Sequence, residues 1–182
     1  MSTTKTRQAL PVGTWNVDPV HSHVGFAVQY VVGTFRGSFA PVDASLTVGE
    51  DGTATLRGKA PVSGVKVQDP NLEAHLQSPD FFDAERAPEI TFTSTDVRRS
   101  GDDVEIDGDL TIRGTSRPVT LTGTAGEPAP DPFGGTRFWL KLETTIDRTQ
   151  FGIDWNNPLP NGEQALANDV TVVAELFFVK SV

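Results

Sequence analysis

The stretch VGFAVQYVVGTFRGSFAPVDASLTVGEDGTATLRGKA, residues 24–60, decides the fold class. Its apolar residues return at every second position, the period of a half-buried β-strand and not of a helix. Val24, Phe26, Val28 and Tyr30 share one face of a first strand. Phe35, Gly37 and Phe39 continue the pattern, followed by Val42, Ala44, Leu46 and Val48. Gly49-Glu50-Asp51-Gly52 is a hairpin turn in which Asp51-Gly52 suits positive φ. Beyond it Ala54, Leu56, Gly58 and Ala60 alternate with Thr55, Arg57 and Lys59.

The same alternation predicts strands over Ile90–Val97, Val104–Ile112, Val119–Ala125, Phe138–Ile146 and Val170–Val179. SGDD at Ser100–Asp103, RGTSRP at Arg113–Pro118 and GEPAPDPFGG at Gly126–Gly135 are the turns between them. Many strands with short turns make an antiparallel meander. Closure into a barrel is the complete way to protect the edges of such a sheet. There is no internal repeat and no linker. The expectation is an all-β, lipocalin-like antiparallel barrel over residues 13–182, preceded by a flexible tail at residues 1–12.

Two segments break the β pattern. Between Val62 and Pro88, Asp69 can cap a helix whose first position is Pro70, with Leu72 and Leu76 on one face. Ser78-Pro79 repeats the cap-then-proline signal before Phe81 and Phe82, so one or two short helices are expected to point apolar side chains inward. The second segment, Asp147–Asp169, is too long for a simple connection. It carries Phe151, Ile153, Trp155 and Leu159, more apolar groups than a solvated loop needs, and is expected to pack across one end of the barrel.

Bulk composition narrows the function. The 182 residues carry a formal net charge of -9 and no cysteine. The acidic balance, with no Lys/Arg cluster, argues against nucleic acid and anionic membrane surfaces, both of which require a basic face. The absence of cysteine excludes disulfides, thiolate nucleophiles and cysteine metal sites. No segment has the length of a transmembrane helix. The polar start MSTTKTRQALPVGTW lacks the apolar run of a signal peptide, so a cytoplasmic location is expected.

The residues that remain resemble the YceI-like, polyisoprenoid-binding family. The resemblance is carried by Trp15, Asp18 and His21-Ser22, then Arg36-Gly37 and Phe39. It continues through His75-Leu76, Ser78 and Phe81-Phe82-Asp83, and through Pro88, Ile90-Thr91-Phe92 and Ser94. The block Gly108-Asp109-Leu110-Thr111-Ile112-Arg113-Gly114 with Pro118-Val119 follows, and then Arg148, Phe151-Gly152-Ile153 and the closing apolar strand. It extends from about Gly13 to the end of the chain. It implies an interior pocket for a long isoprenoid, a polyprenyl chain or a prenyl quinone, held without catalysis and without a resident cofactor. Members of that family are often periplasmic, from which a chain lacking a leader departs.

Pattern alone leaves the barrel interior open. Large residues facing Gly, Ala and Val can leave a channel or serve a curved, filled core. If hollow, the candidate lining on the early strands and helices is Phe26, Val28, Phe39, Leu76, Phe81 and Phe82. On the later strands it is Phe92, Leu110, Ile112, Leu121, Phe138, Leu140, Leu142, Leu176 and Phe178. Any of these can equally be plain core, since alternating faces are buried in every barrel. Arg36 and Arg148 are candidate cations for an anionic head group, against the blander role of an ion pair. Arg113 and Arg117 flank a turn and are expected to be structural. If filled, the barrel is a structural or interaction module, with a homodimer through an exposed strand or the long loop.

Sharper chemistry is weak. His21 and His23 share a strand face, but zinc wants three or four ligands and only His75 remains, so no metal site is expected. His21 and His75 are read as making local hydrogen bonds. Ser22 and His21 point to opposite strand faces, which defeats a triad with Asp18, and no GxSxG elbow is present. Asp102-Asp103 lie in a turn, and neither they nor Asp107 with Asp109 show the burial that tunes a general acid.

Overall fold

Each alternating run forms a strand, but the strands reach further than the sequence suggests: of Arg113–Pro118 only Arg113-Gly114 lies between strands, Ala129–Pro130 within Gly126–Gly135 is itself a short strand, and the last strand begins at Leu166. The computed structural model describes residues 7–182. In chain order its elements are β1 (Arg7–Gln8), β2 (Gly13–Val17), β3 (His23–Tyr30), β4 (Gly33–Phe39), β5 (Asp43–Val48) and β6 (Ala54–Pro61). A 3-10 turn (Val62–Gly64), β7 (Val65–Lys66) and α1 (Pro70–Gln77) follow. The rest of the chain is β8 (Glu89–Ser100), β9 (Asp103–Ile112), β10 (Thr115–Ala125), β11 (Ala129–Pro130), β12 (Thr136–Asp147), a second 3-10 turn (Arg148–Phe151) and β13 (Leu166–Lys180).

All pairings are antiparallel. The path β12-β10-β9-β8-β6-β5-β2-β13 is closed by pairing of β12 with β13, which gives an eight-stranded barrel. β13 is the seam. Along one edge it pairs with β12 from Asp169 to Val179. Along the other it pairs with β3 from Val170 to Glu175 and then with β2 from Phe178 to Lys180. One end of the tube is therefore walled by β2 and β5, the other by β3 and β4.

The interior follows this division. One cluster of buried residues includes Trp15, Leu46, Ile106, Phe138, Leu140, Leu142, Leu176 and Phe178. The other includes Val28, Phe39, Val65, Leu76, Phe81, Leu110, Ile112, Ile146, Phe151 and Leu166. Phe92 packs against both.

Local chemistry explains the one short α-helix. Asp69 Oδ1 accepts hydrogen bonds from the Asn71 and Leu72 amides at 2.8 and 3.0 Å, and Pro70 occupies the position where a missing N–H costs nothing. The second signal, Ser78-Pro79, starts a series of turns and not a helix. Ser78 caps the C-terminus of α1, and its carbonyl accepts from the Phe81 and Asp83 amides. Phe81 is still turned inward. Part of the segment expected to be a loose tail is tied down: Arg7–Gln8 pairs with Arg99 and Ser100, Leu10 is buried, and the Pro11 carbonyl accepts from the Trp15 indole at 2.9 Å. The first six residues of that segment lie outside the described residues. No helix among the described residues is long and apolar enough to cross a membrane.

Candidate functional site

In the half walled by β3 and β4 the inward residues do not meet across the barrel. They surround a cavity of about 550 Å³, within the range of small-molecule sites. β3 contributes Val24, Phe26 and Val28, and β4 contributes Phe35 and Phe39. Ala60, Ile90, Leu110, Ile112 and Ile146 come from β6, β8, β9 and β12, and Val170 and Val172 from β13. Leu72, His75 and Leu76 reach in from α1, with Phe81 and Phe82 from the turns after it. Phe151, Ile153 and Trp155 close the end from the 147–169 loop.

Glycine shapes these walls. A Cβ at Gly37 would collide with the Phe26 ring, and one at Gly108 with the Phe92 ring. The Phe26 ring can therefore lie against the sheet instead of crossing the lumen, whereas Phe92 is outside the cavity lining and sits between the two buried clusters. Phe26 packs on Phe39 with centroids 5.7 Å apart, and Phe39 on Phe82 at 5.4 Å. At the closed end His75, Phe81 and Trp155 form a mutual cluster, with ring centroids 5.0 to 5.2 Å apart.

The loop that carries Trp155 is held by one buried cation. Arg148 is 4% exposed. Its Nε donates to the Ala167 carbonyl, Nη1 to those of Ile153 and Trp155, and Nη2 to the Leu166 carbonyl and Asn168 Oδ1, at 2.8 to 3.5 Å. All five guanidinium N–H groups are thereby occupied. Burial pushes its pKa down, opposed by the charges of Asp147 and Asp154. Arg113 adds a second tie, donating to the Gly152 and Pro79 carbonyls at 2.6 and 2.7 Å, and Arg117 donates to the Gln150 carbonyl. Tyr30 and Asn157 are the exposed members of the lining and mark an opening beside the β3–β4 turn.

The sequence candidates divide between the two halves. Phe26, Val28, Phe39, Leu76, Phe81, Phe82, Leu110 and Ile112 come together on the cavity wall. Phe138, Leu140, Leu142, Leu176 and Phe178 belong to the other half, where they pack into a buried cluster and line no part of this cavity, and Leu121 packs against them. There Trp15 meets Phe138 edge-on at 4.7 Å and Phe138 stacks on Phe178 at 5.3 Å. Phe92 stands between the two clusters. Arg36 is exposed on the outer face of β4, opposite Phe35 and Phe39. Arg148 reaches the cavity wall, but as a clamp on backbone carbonyls.

Sequence reasoning missed Ala60, His75, Ile90, Ile146, Val170 and Val172 as wall residues. Strand register finds two of them, since Val172 pairs with Phe26 and Val170 with Val28. His75 is the least expected: its Nε2 lies 3.0 Å from Asp80 Oδ2 while its ring faces the cavity.

The remaining candidates are structural. His21 Nδ1 lies 2.6 Å from Asp18 Oδ2, and Ser22 Oγ accepts from the Phe177 amide. Asp18 also accepts from Arg137 at 2.7 Å, and Arg137 bonds Asp131 at 2.8 Å, joining the β2–β3 corner to the β11–β12 turn. Hydrogen bonds from His21 and then Arg137 hold the Asp18 carboxyl down to about 2. Among the described residues no three metal-ligating side chains gather.

A closed antiparallel barrel with a one-ended apolar cavity defines a lipocalin-like class of protein. The YceI-like domain model matches residues 15–178, and the chain belongs to that family. The YceI protein of Escherichia coli O17:K52:H18 is 34% identical over 136 residues, which cover 73% of this chain and 71% of the relative. Among solved structures, BcnA of Burkholderia cenocepacia superposes with a TM-score of 0.73 at 21% identity, covering 88% of this chain and 98% of its own. A polyisoprenoid-binding domain from Saccharophagus degradans, implicated in plant cell wall breakdown, gives 0.68 at 11% identity, covering 92% and 98%.

Proposed function

We propose that the protein binds and carries a long apolar amphiphile, an isoprenoid with a polyprenyl tail or a prenyl quinone, and does no chemistry on it. The observation that carries this is the cavity. About 550 Å³ is lined almost wholly by aliphatic and aromatic side chains, with Tyr30, His75, Asn157 and the saturated Arg148 as its polar members. A hydrocarbon chain gains on the order of 0.8 kcal/mol per buried CH₂ in such a space before ordering costs, so shape and dryness suffice for affinity. The polyisoprenoid-binding neighbour from Saccharophagus degradans supports the ligand class.

The head group is uncharged. Arg148 has no N–H left to offer an anion, and Arg36 faces away from the lumen. Tyr30 and Asn157 at the opening suit a hydroxyl or a quinone carbonyl.

The test is organic extraction of the purified protein followed by mass spectrometry, with a binding titration of delipidated protein against geranylgeraniol. The expected result is a co-purifying isoprenoid and saturable binding. Extracts that contain none, together with no binding of the alcohol, would overturn the carrier function.

A further inference from the structure

We infer that the barrel measures its ligand: the filled half is a floor that stops the tail, so that about four isoprene units are taken in and longer tails gain nothing. This rests on the carrier function proposed above and adds a specificity to the same site.

The floor is visible residue by residue. Val24 lines the cavity and also packs against the filled cluster, and Phe92 touches both clusters. Beside Val24 in the sheet, β13 places Ala174, which pairs with Val24 on one side and with Leu142 on the other. Leu142 is 1% exposed, and behind it Leu140 and Phe178 are fully buried. The Trp15, Phe138 and Phe178 rings occupy the tube beyond. A tail that enters beside Tyr30 meets a packed interior at the level of Val24 and Phe92. Native interiors are packed to crystal-like density and give way only at a cost.

The volume sets the length. A cavity of about 550 Å³ accepts roughly 18 carbon-centred groups if each takes about 30 Å³, the volume that a water molecule occupies in the liquid, close to four five-carbon units. Any further unit stays in water at the opening and adds no burial.

The experiment is a series of prenyl alcohols of ten, fifteen, twenty, twenty-five and forty-five carbons, titrated into delipidated protein. Affinity is expected to rise by about tenfold per unit up to twenty carbons and to change by less than about threefold beyond. Two variants move the limit in opposite directions. Phe92→Ala removes six ring carbons from the floor and shifts the plateau from twenty to twenty-five carbons. Ala60→Leu fills part of the lumen; it weakens the twenty-carbon alcohol by about tenfold, so that the plateau begins at fifteen carbons. If Phe92→Ala does not fold, the wild-type series and Ala60→Leu still decide. Affinity that keeps climbing to forty-five carbons, or an Ala60→Leu protein with wild-type preferences, overturns the length limit and leaves the carrier function standing. Failure of every alcohol to bind overturns both.

Discussion

The two halves of the barrel are built from the same kinds of residue and end in opposite states. At the β2–β5 end Leu140, Leu142, Leu176 and Phe178 face inward and pack with Trp15 and Phe138 into one buried cluster. At the β3–β4 end Leu110, Ile112, Val28 and Phe39 also face inward, yet enclose a cavity. Apolar content does not separate them. What differs is where the rings lie and what closes the end. Gly37 lets Phe26 lie along the wall, and a clamped loop supplies a cap, so that the hollow half needs no plug. A hollow is thus held open by positioning of the wall, not by polar residues.

Four tests would break or sharpen this contrast. The largest effect is expected from Arg148→Met, which strips partners from four carbonyls at the cap. A loss of about 4 kcal/mol or more in denaturant unfolding is expected, with loss of geranylgeraniol binding. Hydrogen exchange should quicken at residues 153–157 while β12 keeps its protection. A variant that still bound the alcohol would show that the cap does not shape the cavity.

Next comes a matched pair. Leu140→Ala in the filled half should cost about 4 kcal/mol, and Leu110→Ala in the hollow half about 2 kcal/mol. Leu110 already lacks partner atoms on its cavity side, so less contact is lost. Equal losses in urea titrations of delipidated protein would erase the distinction between the halves.

The third concerns pH and the filled end. The hydrogen bonds from His21 and Arg137 hold the Asp18 carboxyl down to about 2 in the folded protein, below the ordinary aspartate value of about 3.9 that it regains on unfolding. Its contribution is therefore complete above about pH 4 and is lost as pH falls towards 2. Asp18→Asn should lower the Tm at pH 7 by an amount equivalent to at most about 2 kcal/mol. The gap to wild type should close in acid, without altering ligand binding in the other half. A gap that persists at pH 2 would remove the carboxylate as its cause.

The smallest effect is expected at the opening. Val31 sits at φ 49 in the β3–β4 turn, a left-handed conformation that costs a β-branched residue about 1 kcal/mol. Val31→Asn should recover about that much in a denaturant midpoint. No gain would mean that the turn is held by its neighbours at no cost to Val31.

Much of this architecture is legible in the sequence. Period-two runs and turn dipeptides give the strands, Asp69-Pro70 gives the helix start, and the apolar residues of the 147–169 loop announce a cap. The barrel itself is expected from the sequence, but the route of its closure is not legible, because it depends on β13 using one edge for β12 and the other for both β3 and β2. Nor is the boundary between filled and hollow. Alternation marks Leu110 and Leu140 identically as inward-facing, and only the three-dimensional course of the rings tells them apart. Ala60 and Val172 were passed over because small or branched residues on a strand carry no signature of a binding wall. Arg148 was noticed for its charge, whereas its donors serve the chain itself.

The shared seam has a consequence for how the molecule comes apart. β13 gives one whole edge to β12 and spends its other edge on both ends of the tube. Neither end can peel away without tearing a staple that also fastens the other, so heat should take the barrel down in one cooperative step. A ligand held in the hollow end would then raise the melting temperature of the whole barrel, with the filled end as its ballast.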